Sequence, residues 1–588
     1  MTRLWLTQWK GAAVGMILTN ATVYTSDASR PIADTVLVED GRIAFVGTRS
    51  AVGADAEHDV WDLGGRTIVP GLIDAHTHPS MVSQSRWHVR LPWTEDVEEI
   101  LAFVRDYAAA HPKEEAPYLY FEYYPSTAFR DREPTKELLD SAVSDRPVLC
   151  QDFSEHEHWV NSRMLELMEI TRDTPDPVPG LEMFVRDADG EPTGLLREAV
   201  HQHFIDRMFE KLDWRPPVEL TPERVAPFFR FMSENGVTAL FEALVEDEQV
   251  LGSIVELDRR GELNLFYEGA VRFRSSSDLP EAIGRLRDYQ RRYGGEHVRL
   301  RTLKLFLDGT NESGNSAVLA PLCGGGHGEA EGSTGDIGME ADELAACFVR
   351  CDREDVDVHI HLVGDRAFRT ACDAVAAAQV ARREAGEEWR IQVTLSHCEL
   401  VDPADMARPA ELGIIVNWTP HWSGGYFGEG AREHLGAERW DRMYRFAEMA
   451  DSGATVTFAS DVVTQYELHR GAPLFGMQVA ATRVDPEYPL DHERYPGSVR
   501  PSPAARLSPE LLLKGYTIDA ARQLRLDDRV GSLEVGKLAN LTVLGRDPLQ
   551  TDASVLAEIP VEAVFFEGAL VAGTLDGLPV ATPEPRRG

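Results

Sequence analysis

No apolar run in this chain approaches the ~18 residues of a membrane-spanning helix, and the opening residues lack the apolar core of a secretory leader. A membrane partner is therefore not expected. Positive charge is in short supply. Lys and Arg total 59 against 97 Asp and Glu, for a formal net charge of −38. That balance argues against nucleic acid as a partner and favours solubility. Most of the positive charge is Arg. Lys is scarce, so a Lys inside an apolar strand stands out. Cysteine is equally sparse: Cys150, Cys323, Cys347, Cys351, Cys372 and Cys398, with no CxxC pair. Six in a chain of this length read as reduced, buried thiols rather than a disulfide framework, which points to the cytoplasm.

What is present is a series of metal-ligand residue types, each near the end of an apolar, strand-like run. His76-Thr77-His78 follows Ile68-Val69-Pro70-Gly71-Leu72-Ile73-Asp74. Lys304 lies in Leu303-Lys304-Leu305-Phe306-Leu307-Asp308, and His361 ends Val356-Asp357-Val358-His359-Ile360. His397 follows Val393-Thr394-Leu395-Ser396, and Asp461 follows Val456-Thr457-Phe458-Ala459-Ser460. One His-x-His pair is weak evidence, because 18 histidines in 588 residues produce such pairs readily by chance. The ordered series of five strand ends is stronger. On a strand, residues two apart face the same side. In a (β/α)₈ barrel the strand C-terminal ends converge on the active-site face.

The chain divides into three parts. Residues 1–15 read as a poorly ordered extension, with Met16 the expected natural start. Short β-runs with turns fill 16–69, and Glu39-Asp40-Gly41-Arg42 is a hairpin signal. The same style returns over 528–588, ending in a flexible tail. The two β-rich ends are expected to build one small β-sandwich. Between them, 70–527 alternates strands with Ala-, Glu- and Arg-rich helices, as parallel βα units do. A polar, Pro-rich stretch marks residues 80–230 as an inserted subdomain over the barrel mouth. The expected fold class is thus α/β, a TIM-like (β/α)₈ barrel with a terminal β-sandwich and an insertion. An apolar content of 43% suffices for a core of that size.

Pro70-Gly71-Leu72-Ile73-Asp74-Ala75-His76-Thr77-His78 resembles the opening motif of the amidohydrolase superfamily. His361 with Gly364-Asp365-Arg366-Ala367 resembles a signature of its amidohydrolase 3 (YtcJ-like) family, as do Lys304-Leu305-Phe306-Leu307-Asp308-Gly309-Thr310 and Trp159-Val160-Asn161-Ser162. Tyr516-Thr517-Ile518-Asp519-Ala520-Ala521 and the run Val530 to Asn540 resemble the closing segment. The resemblance covers about Met16 to Pro548. Three departures touch substrate and outer details: Ser396 stands where the family has Glu, Asn540 stands within the closing triplet, and Ser313-Gly314 replaces Ser-Arg.

The resemblance implies a divalent-metal hydrolase. Neutral imidazoles and carboxylates suit Zn²⁺, with one or two ions per chain. His76 and His78 would hold the first and His361 and His397 the second, and bound water near pKa ~7 would supply hydroxide. Lys304, carboxylated by CO₂, would bridge the two. Asp461 would ligate the first ion and relay a proton. Each assignment has an alternative. Lys304 can snorkel or pair with Asp308, His397 can be a core histidine, and Asp461 can be a helix N-cap. His359 reads as second shell or core. His156 either reaches the site from the insertion or is an ordinary loop residue. Asp365 and Arg366 read as a structural ion pair near the site.

Trp418, His421 and Trp422, in a Gly- and aromatic-rich segment after Ile414-Ile415-Val416, suggest a planar or apolar substrate wall; packing on the insertion is the alternative. The leading function is hydrolysis of an amide-type C–N bond (N-acyl, N-formyl, carbamate or cyclic amide). A mononuclear deaminase and a non-catalytic binding member are the alternatives. The expected partners are a small-molecule substrate and a second copy of the chain in a homodimer.

Overall fold

The computed structural model describes residues 15–52, 58–129, 132–179, 181–245, 247–323, 332–424, 430–487 and 506–575. The expected extension over residues 1–14 and the tail from 576 onward lie outside them.

Eight parallel strands form the central sheet: Leu72–Thr77, Val237–Glu242, Phe266–Arg272, Val298–Phe306, Asp357–Leu362, Val393–His397, Ile415–Trp418 and Thr455–Phe458. Most are buried along their whole length, as expected of parallel strands covered on both faces. That burial is why they read as continuous apolar runs. The first and eighth strands share no regular ladder, yet the circle closes just beyond their ends. There the Asp461 amide donates to the His76 carbonyl at 2.8 Å and the His78 amide to the Val462 carbonyl at 3.2 Å.

Helices cover the outside. Ala341–Arg353 shows the logic: Leu344, Cys347, Phe348 and Cys351 recur at helical spacing and are buried. Asp342 and Glu343 open its first turn, and Arg350 and Arg353 close its last, each sign matching the helix dipole. Burying each large apolar side chain contributes about 1.5–3 kcal/mol. The two cysteines four apart therefore sit on a packed helix face. Five of the six cysteines are buried free thiols; Cys323, expected to be buried, is exposed.

Strands from both ends of the chain interleave. Leu541–Leu544 pairs antiparallel with Thr67–Pro70 inside a six-stranded sheet, and a four-stranded sheet holds Met16–Thr19, Thr35–Glu39, Arg42–Gly47 and Asp59–Asp62. Val36, Ile43, Ile68, Leu541, Val543 and Phe565 share one core. The Asp40-Gly41 turn has both φ angles positive, at 49° and 74°, as a two-residue type I′ hairpin requires.

Between the first and second barrel strands the chain builds a separate six-stranded sheet, from Val89–Arg90 through Leu119–Tyr124, Val148–Asp152, Glu157–Val160 and Pro192–Arg197 to Phe184–Arg186. It has its own core around Ile100, Val104, Phe121 and Trp159. No described helix is long and apolar enough to cross a membrane.

Candidate active site

A cavity of about 680 Å³ lies between the barrel mouth and the inserted sheet, lined from below by His76, His397 and Asp461 and from above by Phe153, His156 and Glu198. His76 and His78 leave the first barrel strand two residues apart and both point into it. Asp461 arrives from the eighth. Its Oδ1 lies 3.4 Å from His76 Nε2 and 3.1 Å from His78 Nε2, and its Oδ2 lies 3.6 Å from His397 Nδ1. These atoms of His76, His78 and Asp461 fall within 4.8 Å of one another, close enough to share an ion.

Asp74 braces this corner. Its Oδ1 accepts from the His76 amide at 3.3 Å and the Ser460 amide at 3.0 Å, coupling the two strand ends. Burial pushes its carboxyl up to about 7. His359 bonds His76 Nδ1 through Nε2 at 3.0 Å, which fixes the first ring and leaves its Nε2 for the cavity. An outer imidazole bond of this kind orients metal ligands.

Burial also holds the rings of His76, His359, His361 and His397 well below their ordinary pKa. Neutral imidazoles keep a lone pair for a metal. Nδ1 of His78 and Nδ1 of His397 are buried without a hydrogen-bond partner. The donor set fits a divalent cation.

Lys304, on the fourth strand, is 1% exposed. It has no hydrogen bond or ion pair among the described residues; its Nζ lies 4.8 Å over the Phe306 ring. Burial lowers it from 10.5 to about 7, against the opposing pull of Asp461. The alternative pairing with Asp308 does not occur. That carboxylate accepts the amides of Val363, Gly364 and Ala317 at 2.9–3.0 Å, fastening the loop after the fifth strand.

His361 lies beside the site, with its ring 4.5 Å from that of His397. Its Nε2 is already engaged with the Gly309 carbonyl at 3.1 Å, so only Nδ1 remains for a ligand. Asp461 is not a helix cap; it sits at φ 49° in the loop after the eighth strand. Asp365 and Arg366 do not pair with each other. Asp365 accepts the Leu319 amide at 2.8 Å, and Arg366 donates to the Gly335 carbonyl at 2.6 Å. Asp365 thus holds Leu319, and Arg366 holds Gly335. Trp418 is a core residue, 4.1 Å from Phe446 between ring centres. His421 is likewise buried away from the cavity wall. Trp422 does line the cavity and stacks on His397 at 5.0 Å and 14°.

His156 reaches the cavity from the insertion, its ring 4.9 Å from His361. Burial opposes its charge, but Glu198, at 2.7 Å from Nδ1, together with Asp152 and Asp461 raises its pKa. Glu122, Glu155, Glu198 and Arg272 also line the cavity, and sequence reasoning passed over all four. No local pattern marks Glu198, whose partner His156 is 42 residues away. Glu155, Glu198, His397 and Asp461 all have positive φ, between 49° and 73°. Such non-glycine strain, roughly 1–3 kcal/mol per residue, collects at functional sites.

A family model described as "Amidohydrolase family" matches residues 59–572. The N-substituted formamide deformylase of Arthrobacter pascens is 28% identical over 581 residues, covering 94% of this chain and 98% of that protein. The exoenzymes regulatory protein AepA of Pectobacterium carotovorum subsp. carotovorum is 25% identical over 454 residues, covering 76% and 93%. An uncharacterized metal-dependent hydrolase from Pyrococcus horikoshii OT3 superposes with a TM-score of 0.63 at 21% identity, covering 92% of this chain and 99% of that one. At that identity the likeness is one of fold.

Proposed function

Because this chain belongs to the amidohydrolase family, we propose that it is a metal-dependent hydrolase of an amide-type C–N bond outside peptides: N-acyl, N-formyl, carbamate or cyclic amide. One observation carries this reading. Three buried donors, His76, His78 and Asp461, converge within 4.8 Å beside a buried, unpaired Lys304 in a ligand-sized cavity. The similar formamide deformylase supports the N-formyl part of the range. A buried Lys at this position has no task in a mononuclear deaminase.

His76, His78 and Asp461 would hold one divalent ion, with Zn²⁺ the proposed metal. His397 and His361, through its remaining Nδ1, would hold a second. Lys304, lowered to about 7 and so about half neutral near pH 7, can add CO₂ with loss of a proton, and its carbamate would bridge the two ions. When bound, the metal supplies Lewis acidity toward the substrate carbonyl and lowers the pKa of water toward ~7.

The protein's own groups do the rest. Asp461 accepts the attacking water's proton and passes it to the leaving nitrogen, general acid–base work worth ~10²–10⁴-fold. His156, whose pKa is raised by Glu198 and the nearby Asp152 and Asp461 against the effect of burial, offers Nε2–H to the substrate oxygen as negative charge develops there. The inserted sheet roofs the cavity and limits water, which strengthens each of these interactions.

The test is a panel of the four amide classes, given to metal-free and Zn²⁺-reconstituted protein, with released amine read by mass spectrometry. Hydrolysis of at least one class, only after reconstitution, is expected. Failure on all four by protein shown to hold its metal would favour the non-catalytic binding reading.

A further inference from the structure

Most carboxylates on the cavity wall have partners. Glu122 accepts from Thr464 Oγ1 at 2.8 Å and lies 3.0 Å from His88 Nδ1. Glu198 holds His156, and Glu399 accepts from Asn311 Nδ2 at 2.7 Å. Glu467 stands against Arg470, with Arg90 also nearby. Glu155 differs. It lines the same cavity, yet its carboxylate has no hydrogen bond and no ion pair among the described residues. Its backbone is held at φ 65°, a conformation that costs a non-glycine residue about 1 kcal/mol or more.

Aromatic groups line the same cavity. Phe153, two residues earlier, packs at 4.8 Å on Tyr123, and Trp422 joins the same small cluster. Phe153 and Trp422 face the cavity together with Glu155. The Tyr123 ring already carries Arg90 at 5.1 Å. Its hydroxyl, on a side chain 2% exposed, is directed at Glu467, with Arg470 and Glu155 also nearby. An unpaired carboxylate beside aromatic surfaces is the combination that recognises a positively charged nitrogen. An anionic or purely apolar substrate would leave this buried acid without a counter-charge.

We propose that Glu155, with Phe153 and Trp422, forms a subsite for a cationic nitrogen, so that the preferred substrates are amides that also carry an ammonium or quaternary ammonium group. This deepens the hydrolase reading and rests on it only for the word substrate. Burial and the neighbouring carboxylates push the Glu155 carboxyl well above its usual range, a state that an arriving positive charge relieves.

The test uses binding rather than turnover, so that it stands apart from the hydrolysis assay. Choline and its uncharged carbon isostere are titrated into the full-length, metal-loaded protein, with tryptophan fluorescence as the readout. Wild type should prefer choline by about 10-fold, the order of one partly desolvated cation contact. Glu155→Gln should bind the two equally, with the isostere unchanged. Should that variant fold poorly, Glu155→Gly, which suits the positive φ, serves the same purpose. Equal affinity in wild type, or an intact preference in the variant, would overturn the proposal. An intact preference in a protein that hydrolyses no amide would overturn the hydrolase reading alone.

Discussion

Replacing Lys304 with Met should stabilise the metal-free protein, and the gain should depend on pH in a defined direction. Met conserves the stem and its volume, so packing changes cost less than about 1.5 kcal/mol. The folded state holds the Lys304 ammonium at about 7, against 10.5 in an ordinary setting. Between those values the unfolded chain binds a proton that the folded chain does not, so wild-type stability rises with pH across that window. Below about pH 7 both states are protonated and the full penalty of the buried charge remains. A drop of that size corresponds to a few kcal/mol, at most about 5. Lys304 is 1% exposed, so solvent screening does not erase it. For a chain of 588 residues this amounts to a melting shift of about 2–4 °C. The assay is calorimetric melting of chelated protein in CO₂-free buffer. Lys304→Met should melt above wild type near pH 6, and the gap should close toward pH 10. A constant gap, or a destabilised variant at pH 6, would refute the view of Lys304 as a buried, unpaired amine.

Further outcomes follow from the same geometry. Asp461→Asn should retain much of its metal, because an amide oxygen still faces the ion, and lose ~10²–10⁴ in kcat with little change in KM, read by steady-state kinetics on the first confirmed substrate. Glu198→Gln removes the main group that raises His156, so His156 should deprotonate at lower pH, and the alkaline limb of the pH–rate profile should move to lower pH; an unmoved limb would mean that His156 has no role there. Asp308→Ala leaves three buried amides unpaired, each worth roughly 1–3 kcal/mol, and should lower the melting temperature even without metal.

The barrel was legible because its strands are buried on both faces and so stand out as apolar runs, each ending in a polar residue at the mouth. His76, His78 and Asp461 were found that way and do converge. Lys304 stood out through the scarcity of lysine. The rest of the cavity was not legible, because its roof comes from a mixed sheet inserted after the first strand. There, Glu155, Glu198 and Glu122 act through partners that are distant in sequence or through having none. The aromatic segment after the seventh strand divides: Trp418 turns into the core and only Trp422 reaches the cavity, a distinction set by packing against Phe446 that composition cannot show. Asp365 and Arg366 are adjacent in sequence but lie on a helix start facing different loop atoms, so proximity along the chain was misleading.

The account depends most on one divalent-metal centre built from His76, His78 and Asp461. Calorimetric titration of the metal-free protein with Zn²⁺, beside the same titration of His78→Ala, tests it most directly. Wild type should take up at least one ion tightly, and the variant should lose at least one equivalent while keeping its melting profile in the metal-free state. Equal stoichiometry and affinity in the two proteins would contradict it.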